Sequence, residues 1–256
     1  MLLQNKTAVV TGCNRGIGKK ILEVFSANGA TTFACVRNIT EEFKTSLIEI
    51  KKKFNNQVIP IEFDLNDESQ IKEAASNILS SNSSIDFLVN NAAIIHTALL
   101  QMTSIKKLKE LFEADFFSQT LFTQYILKSM IKKKSGSILY ISSSAALYGN
   151  EGRSAYASAK AAMIAQAKAL SREVGIYNIR VNIIAPWLTD TDMTRKNTPE
   201  EILNEVISRI SLKRIANPEE IANVALLLSS DLSSYITGQV IRVDGGMWGI
   251  LVKQSR

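Results

Sequence analysis

The feature that most limits the fold is an alternation, sustained along the whole chain, of short apolar runs with segments of helical periodicity. The runs are Thr7 to Thr11, Thr31 to Val36, Val58 to Phe63, Phe87 to Asn90, Ser137 to Ile141, Ile179 to Ile184 and Val240 to Val243. They lack the polar alternation of a half-solvated strand, so each is expected to be buried on both faces. Between them, Ile17, Ile21, Val24 and Phe25 recur at helical spacing, as do Ile71, Ala74, Ala75, Ile78 and Leu79. Further helices are expected from about Tyr156 to Gly175 and from Pro218 to Leu228, where a proline suits the first turn.

This rhythm predicts an α/β fold: a single-domain, Rossmann-like, doubly wound parallel sheet of about seven strands with helices on both faces. With 256 residues, 46% of them hydrophobic, and no break in composition, one domain over residues 1–256 is expected. A formal charge of +6 favours acidic partners only through long-range steering. The runs Lys51 to Lys53 and Lys132 to Lys134 fall at expected helix ends, where cations complement the helix dipole. No aromatic residues are interleaved with them, so no nucleic-acid partner is expected. Cys13 and Cys35, the two cysteines, read as buried thiols of a reducing compartment. With no leader pattern and no apolar run near the ~20 residues of a membrane helix, a cytoplasmic protein without a membrane partner is expected.

Two stretches depart from the repeat. Leu111 to Ile131 is helical in length but apolar on nearly every side, through Phe112, Phe116, Phe117, Leu121, Phe122, Tyr125, Ile126 and Met130, and needs cover on more than one face. The long interruption after strand six, with a polar helix from about Pro199 to Leu212, is the expected substrate-covering element.

Chemistry concentrates where strands end. Thr11-Gly12-Cys13-Asn14-Arg15-Gly16-Ile17-Gly18 joins the first strand to a helix, a turn whose glycines let backbone approach a pyrophosphate at the positive helix terminus. Three residues separate its first two glycines, unlike G-x-G-x-x-G. The second strand ends Cys35-Val36-Arg37-Asn38, with no carboxylate for a ribose 2′-hydroxyl, while Arg37 and Arg15 can hold a 2′-phosphate. NADP(H) is therefore the expected cofactor. Tyr156 and Lys160, four apart on a helix, share one face, where an ammonium would lower the tyrosine pKa and make the phenol an acid/base group. Alone, such a pair is more often an ordinary helix face. The single histidine, His96, makes neither a metal site nor a triad, and no metal is expected.

Taken together and in order, Thr11 to Gly18, Asn90-Asn91-Ala92-Ala93, Ser142-Ser143-Ser144, Tyr156 with Lys160, and Pro186 through Thr191 resemble the short-chain dehydrogenase/reductase family. Within it, Gly238 through Met247 is similar to the tail of bacterial 3-oxoacyl-carrier-protein reductases. The resemblance implies that Ser143 bonds the substrate oxygen, Tyr156 passes it a proton, and Lys160 holds the nicotinamide ribose. It implies adenine contacts at Asp64 and Leu65, cofactor contacts at Asn90, Ala92, Pro186 and Thr189, and a carboxamide contact at Thr191. It also implies a homotetramer, or at least a dimer, built on the long apolar helix and the Tyr156 helix.

Three residues depart from the family pattern. Asp115 replaces an asparagine whose main-chain carbonyl serves a proton relay, and its carboxylate would compete for Lys160. Ala93 replaces a glycine. Trp187 replaces another and is expected to restrict the substrate. Lys134 lies where the carrier-protein reductases use a basic residue to meet an acyl carrier protein, whereas Tyr177 occupies the place of a second one. The expected activity is NADP(H)-dependent interconversion of a small-molecule carbonyl and a secondary alcohol, with 3-oxoacyl thioesters leading. A sugar or nucleotide-sugar dehydrogenase and a catalytically silent dinucleotide sensor are the alternatives.

Overall fold

Val9 and Val10 are neighbours on the first strand, yet their side chains enter different cores. That is the consequence of a two-residue side-chain period in a sheet covered on both faces. The computed structural model describes residues 1–81 and 84–247. Its strands are β1 (Thr7–Thr11), β2 (Thr31–Val36), β3 (Val58–Glu62), β4 (Phe87–Asn90), β5 (Gly136–Ile141), β6 (Ile179–Pro186) and β7 (Val240–Val243). They form one parallel sheet in the order β3-β2-β1-β4-β5-β6-β7.

The helices are α1 (Gly16–Ala27), α2 (Glu41–Phe54), α3 (Glu68–Ser80), α4 (Ile105–Phe112), α5 (Ser118–Lys133), α6 (Ala145–Tyr148), α7 (Ser154–Val174), α8 (Asp192–Asn197), α9 (Glu200–Arg209) and α10 (Pro218–Ser229). One core packs Phe25 of α1, Phe43 of α2 and Ala225 of α10 against Val10, Ala34 and Ile184. The other packs Ile78 of α3, Phe122 of α5 and Met163 of α7 against Val9, Phe33 and Ile183. Both lysine runs end helices: Lys51 to Lys53 form the last turn of α2 before left-handed Asn55, and Lys134 closes α5 at φ 56°.

Three expected strand boundaries change. β3 ends one residue early at Glu62. β5 starts one residue early at Gly136, and β6 continues two residues further, because Pro186 pairs with Val243 although its nitrogen cannot donate. The larger correction concerns the apolar helix expected over Leu111 to Ile131. A π-helical turn at Glu113–Phe117 separates α4 from α5 and directs Ala114 and Asp115 inward. Cover for its outer face is incomplete within the chain: Phe117 is 53% exposed and stacks edgewise on a half-buried Phe116.

The strand order reverses between β1 and β4, so a crevice opens beyond their carboxyl ends. Residues following β1, β2, β3, β4, β5 and β6 meet there.

Candidate active site

The crevice is a cleft of about 700 Å³ that runs from the glycine turn to Tyr156. At the first end, Gly12 and Gly16 adopt φ of +64° and +56°. A Cβ at Gly12 would lie 2.7 Å from Ala92 Cα, and one at Gly18 would lie 2.3 Å from the Gly12 carbonyl oxygen, so both positions exclude a side chain on space alone. The turn is tied across the switch point: Asn91 Nδ2 donates to the Thr11 and Gly12 carbonyls at 3.0 Å each, and Thr11 Oγ1 accepts from the Asn91 and Ala92 amides.

Helix α1 begins at Arg15 with no side-chain cap and no acidic residue in its first turn. Its opening N–H groups and dipole therefore face the cleft without a competing anion. Arg15 and Arg37 both line the cleft, are exposed, and form no ion pair among the described residues. Asp64 and Leu65 complete this end. A close glycine backbone, an open helix terminus and unpaired arginines fit a dinucleotide phosphate group.

Three consecutive serines behave differently after β5. Ser142 Oγ donates to the Lys160 carbonyl and Ser144 Oγ to the Ala185 carbonyl, both at 3.0 Å and buried. Ser143 lines the cleft beside Ser142, but its Oγ accepts from the Ala145 amide at 3.1 Å, which leaves the hydroxyl proton to be donated. Ser143 also acts on the Tyr156 hydroxyl, favouring its ionised form. Lys160, buried on α7, places Nζ 5.9 Å from the centre of the Tyr156 ring and donates to the Ile141 carbonyl at 3.2 Å.

Burial is the largest influence on Tyr156 and raises its pKa above the ordinary phenol value. Lys160, Ser143 and Arg153 pull it back, while Asp115 pushes it further up. Lys160 thus lowers the phenol as expected, but burial outweighs it and the net shift is upward. Asp115 is sealed from solvent, accepts from the Ile94 amide at 2.8 Å, and reaches Lys160 Nζ at 3.5 Å through its other oxygen. Burial raises its pKa against the opposing pull of Lys160. The competition for Lys160 expected of a carboxylate here is realised in the geometry.

A sequence model of the family described as Enoyl-(Acyl carrier protein) reductase matches residues 12–248. The 3-oxoacyl-(acyl-carrier-protein) reductase of Chlamydia trachomatis is 42% identical over 246 residues, covering 96% of this chain and 98% of that protein. The chain belongs to the short-chain dehydrogenase/reductase family. As a short-chain dehydrogenase/reductase it is an oxidoreductase, and other relatives bear this out. The 3-oxoacyl-(acyl-carrier-protein) reductase of Thermotoga maritima is 38% identical over 247 residues, 96% of this chain and 99% of that protein. A 7α-hydroxysteroid dehydrogenase in complex with NADH and 7-oxo glycochenodeoxycholic acid superposes with a TM-score of 0.92 at 30% identity, over 98% of this chain and 97% of that one. A putative gluconate dehydrogenase from Agrobacterium tumefaciens gives 0.91 at 28%, over 96% of each chain.

Gly12, Asn14, Arg15, Gly16, Ile17, Gly18, Arg37, Asp64, Leu65, Ala92, Ser143, Tyr156, Lys160, Pro186, Trp187, Thr189 and Thr191 all line the one cleft of this short-chain dehydrogenase/reductase. Asn90 does not. It is fully buried and donates to Thr123 Oγ1 at 2.8 Å, so the cleft is lined after β4 by Asn91, Ala92 and Ala93. The strand period carries the reason, since adjacent residues at a strand end face opposite ways. Thr191 caps α8 through a bond from the Thr194 amide, and its methyl lies 3.3 Å from where a Gly16 Cβ would stand. Met193, Asn197 and Ile202 bring α8 and α9 over the cleft, where the covering element was expected. The residue that sequence reasoning missed is Arg153. It lines the cleft from the residue that precedes α7, three positions before Tyr156.

Proposed function

We propose that this chain is an NADP(H)-dependent reductase of 3-oxoacyl thioesters, interconverting the 3-oxo group and the secondary alcohol. The observation that carries it is the convergence of Ser143, Tyr156 and Lys160 on a cleft whose far end presents two unpaired arginines. The 3-oxoacyl-(acyl-carrier-protein) reductases at 38% and 42% identity support the substrate class. The bound dinucleotide supplies or takes the hydride. Ser143 donates to the substrate oxygen, Tyr156 transfers a proton to it as negative charge develops, and Lys160 stabilises the phenolate left behind. Gly12, Asn14, Gly16, Ile17 and Gly18 would hold the pyrophosphate, Arg15 and Arg37 the 2′-phosphate, Asp64 and Leu65 the adenine, and Pro186, Thr189 and Thr191 the nicotinamide end.

The protein works as a homotetramer or dimer joined through α5, the turn before it that leaves Phe117 exposed, and α7, in a reducing cytoplasm that suits two buried free thiols. Exposed Lys134 offers contact to an acyl carrier protein. A sugar dehydrogenase is the second reading, favoured by the half-buried Trp187 ring in the cleft and by the likeness to a putative gluconate dehydrogenase. NADPH oxidation against 3-oxoacyl thioesters, sugars and simple ketones separates the two. Tyr156→Phe is expected to keep dinucleotide binding and lose at least ~100-fold in turnover; turnover near the parental rate would overturn the assigned role.

A further inference from the structure

Burial pulls the pKa of two guanidinium groups below the ordinary arginine value, those of Arg153 and Arg180. Arg180 is satisfied. It donates to the carbonyls of Leu228, Ser229 and Ser230 and to the Ser233 hydroxyl at 2.7 to 3.2 Å, tying β6 to the end of α10. Arg153 has no such partners. Its Nη1 is shielded from solvent without an acceptor among the described residues, and Tyr156 is the one group that acts on its charge. Asn150 Oδ1 is also buried and unpaired, but the two are not bonded to each other. Glu151 is exposed and forms no ion pair with it among the described residues.

The placement of Arg153 is held by the backbone around it. Gly149 and Gly152 take φ of +70° and +71°, the Gly152 carbonyl accepts from the Ala98 amide at 2.9 Å, and the Arg153 carbonyl accepts the Ala157 amide at 2.7 Å as α7 begins. Arg153 and Tyr156 therefore face one cleft from one helix start. Trp187, another lining residue, has a buried Nε1 that also lacks an acceptor. A cation and an indole N–H left without acceptors are costly to bury, and both are relieved by a ligand rich in acceptor oxygens. Guanidinium only donates, and in a fork that suits a carboxylate or carbonyl better than a hydroxyl.

We infer that Arg153 determines specificity by donating to a second carbonyl oxygen of the substrate, carried close to the carbonyl that Tyr156 protonates. The inference rests on the ketone-reductase reading above for the place of the reacting carbonyl. It narrows the substrates to 3-oxo compounds whose neighbouring group is a carboxylate or a thioester, and it disfavours neutral sugars, which offer hydroxyls instead. A free 3-oxo acid and a 3-oxoacyl thioester share this chemistry.

The test compares kcat/KM for acetoacetyl thioester, free acetoacetate and 2-pentanone, which lacks the second carbonyl, in the parent, Arg153→Met and Arg153→Lys. The ratio of each 3-oxo substrate to 2-pentanone is expected to fall roughly 10- to 100-fold in Arg153→Met, mostly through KM, as expected for loss of one charge-assisted bond. Arg153→Lys recovers part of the ratio for acetoacetate. Because the ratio cancels any change in Tyr156 common to all ketones, an unchanged ratio overturns the inference whatever happens to the absolute rates. Failure of the parent to reduce the thioester while it reduces acetoacetate sinks the thioester reading and leaves Arg153 to be judged on the acid. Should none of these ketones be reduced, 3-hydroxybutyrate is expected to raise the melting temperature of the dinucleotide-loaded parent and not of Arg153→Met; equal shifts, or none in either, overturn the proposal.

Discussion

Asp115 Oδ2 lies 3.5 Å from the ammonium of Lys160, and both side chains are closed to solvent. The other carboxylate oxygen holds the Ile94 amide at 2.8 Å, so one residue links the segment after β4 to the group that tunes Tyr156. A buried ion pair of this kind contributes little net stability, because desolvation offsets attraction. Its consequence is electrostatic. The negative charge offsets part of what Lys160 does to the phenol and helps hold the Tyr156 pKa above the usual value.

Asp115→Asn is therefore expected to lower the Tyr156 pKa. In alcohol oxidation the phenolate is the base, so activity rises with pH through this pKa, and the rising limb should move to lower pH in the variant. The pH profile of kcat/KM for alcohol oxidation reads the shift directly. A limb that stays in place would mean that Asp115 is already neutral in the working enzyme, as burial tends to make it.

Cofactor choice follows from Arg15 and Arg37, which line the cleft with no carboxylate partner among the described residues. NADPH should bind more tightly than NADH by about 1 to 3 kcal/mol, and Arg37→Ala should remove much of that difference. Fluorescence titration of both dinucleotides against both proteins checks it. Equal affinities in the parent would assign the two arginines to solvent.

The ring cluster of Phe112, Phe116 and Phe117, with centroids 5.2 to 6.4 Å apart, leaves Phe117 53% exposed. Phe117→Asp should shift the sedimentation equilibrium toward monomer while the melting temperature of the isolated subunit changes little. A parent protein that sediments as a monomer at every concentration would remove the premise.

The start of α10 carries an acid-sensitive contact. Arg214 donates two bonds of 2.7 Å to Glu220, which also accepts from the Asn217 amide at 2.8 Å, and these hold its carboxyl down to about 2. A carboxyl whose pKa is depressed on folding stabilises above its unfolded value of ~4.3, and the contribution fades as pH falls toward the folded value. Parent and Glu220→Gln should thus differ most at neutral pH, by under ~1 kcal/mol for so exposed a pair, and converge as pH drops from ~5 toward 2. Chemical denaturation at several pH values measures the convergence; a constant difference would point to the amide bond instead of the charge.

The candidate catalytic residues Tyr156 and Lys160 were legible because their spacing is local. Tyr156 and Lys160 share a face by helical period, and Gly12 to Gly18 joins a strand to a helix within one turn. Asn90 was misplaced for an equally local reason: at a strand end a shift of one residue reverses the side chain, and it is Asn91 that braces the glycine turn. Arg153 went unnoticed because nothing in a lone arginine tells whether acceptors surround it; only the packed loop shows that its buried Nη1 has none among the described residues.

Periodicity by itself determined the sheet, its two covered faces and the glycine turn, since those depend on residues a few positions apart. What the tertiary structure alone decided is electrostatic. The meeting of Asp115 with Lys160, 45 positions apart, was expected from the family resemblance and from no spacing, and its cause lies in the fold, where a π-turn shifts the phase of the helix and turns Asp115 inward. The sign of the Tyr156 shift likewise emerged only with depth, because the cost of burying a phenolate depends on what surrounds it in space, which no linear spacing records.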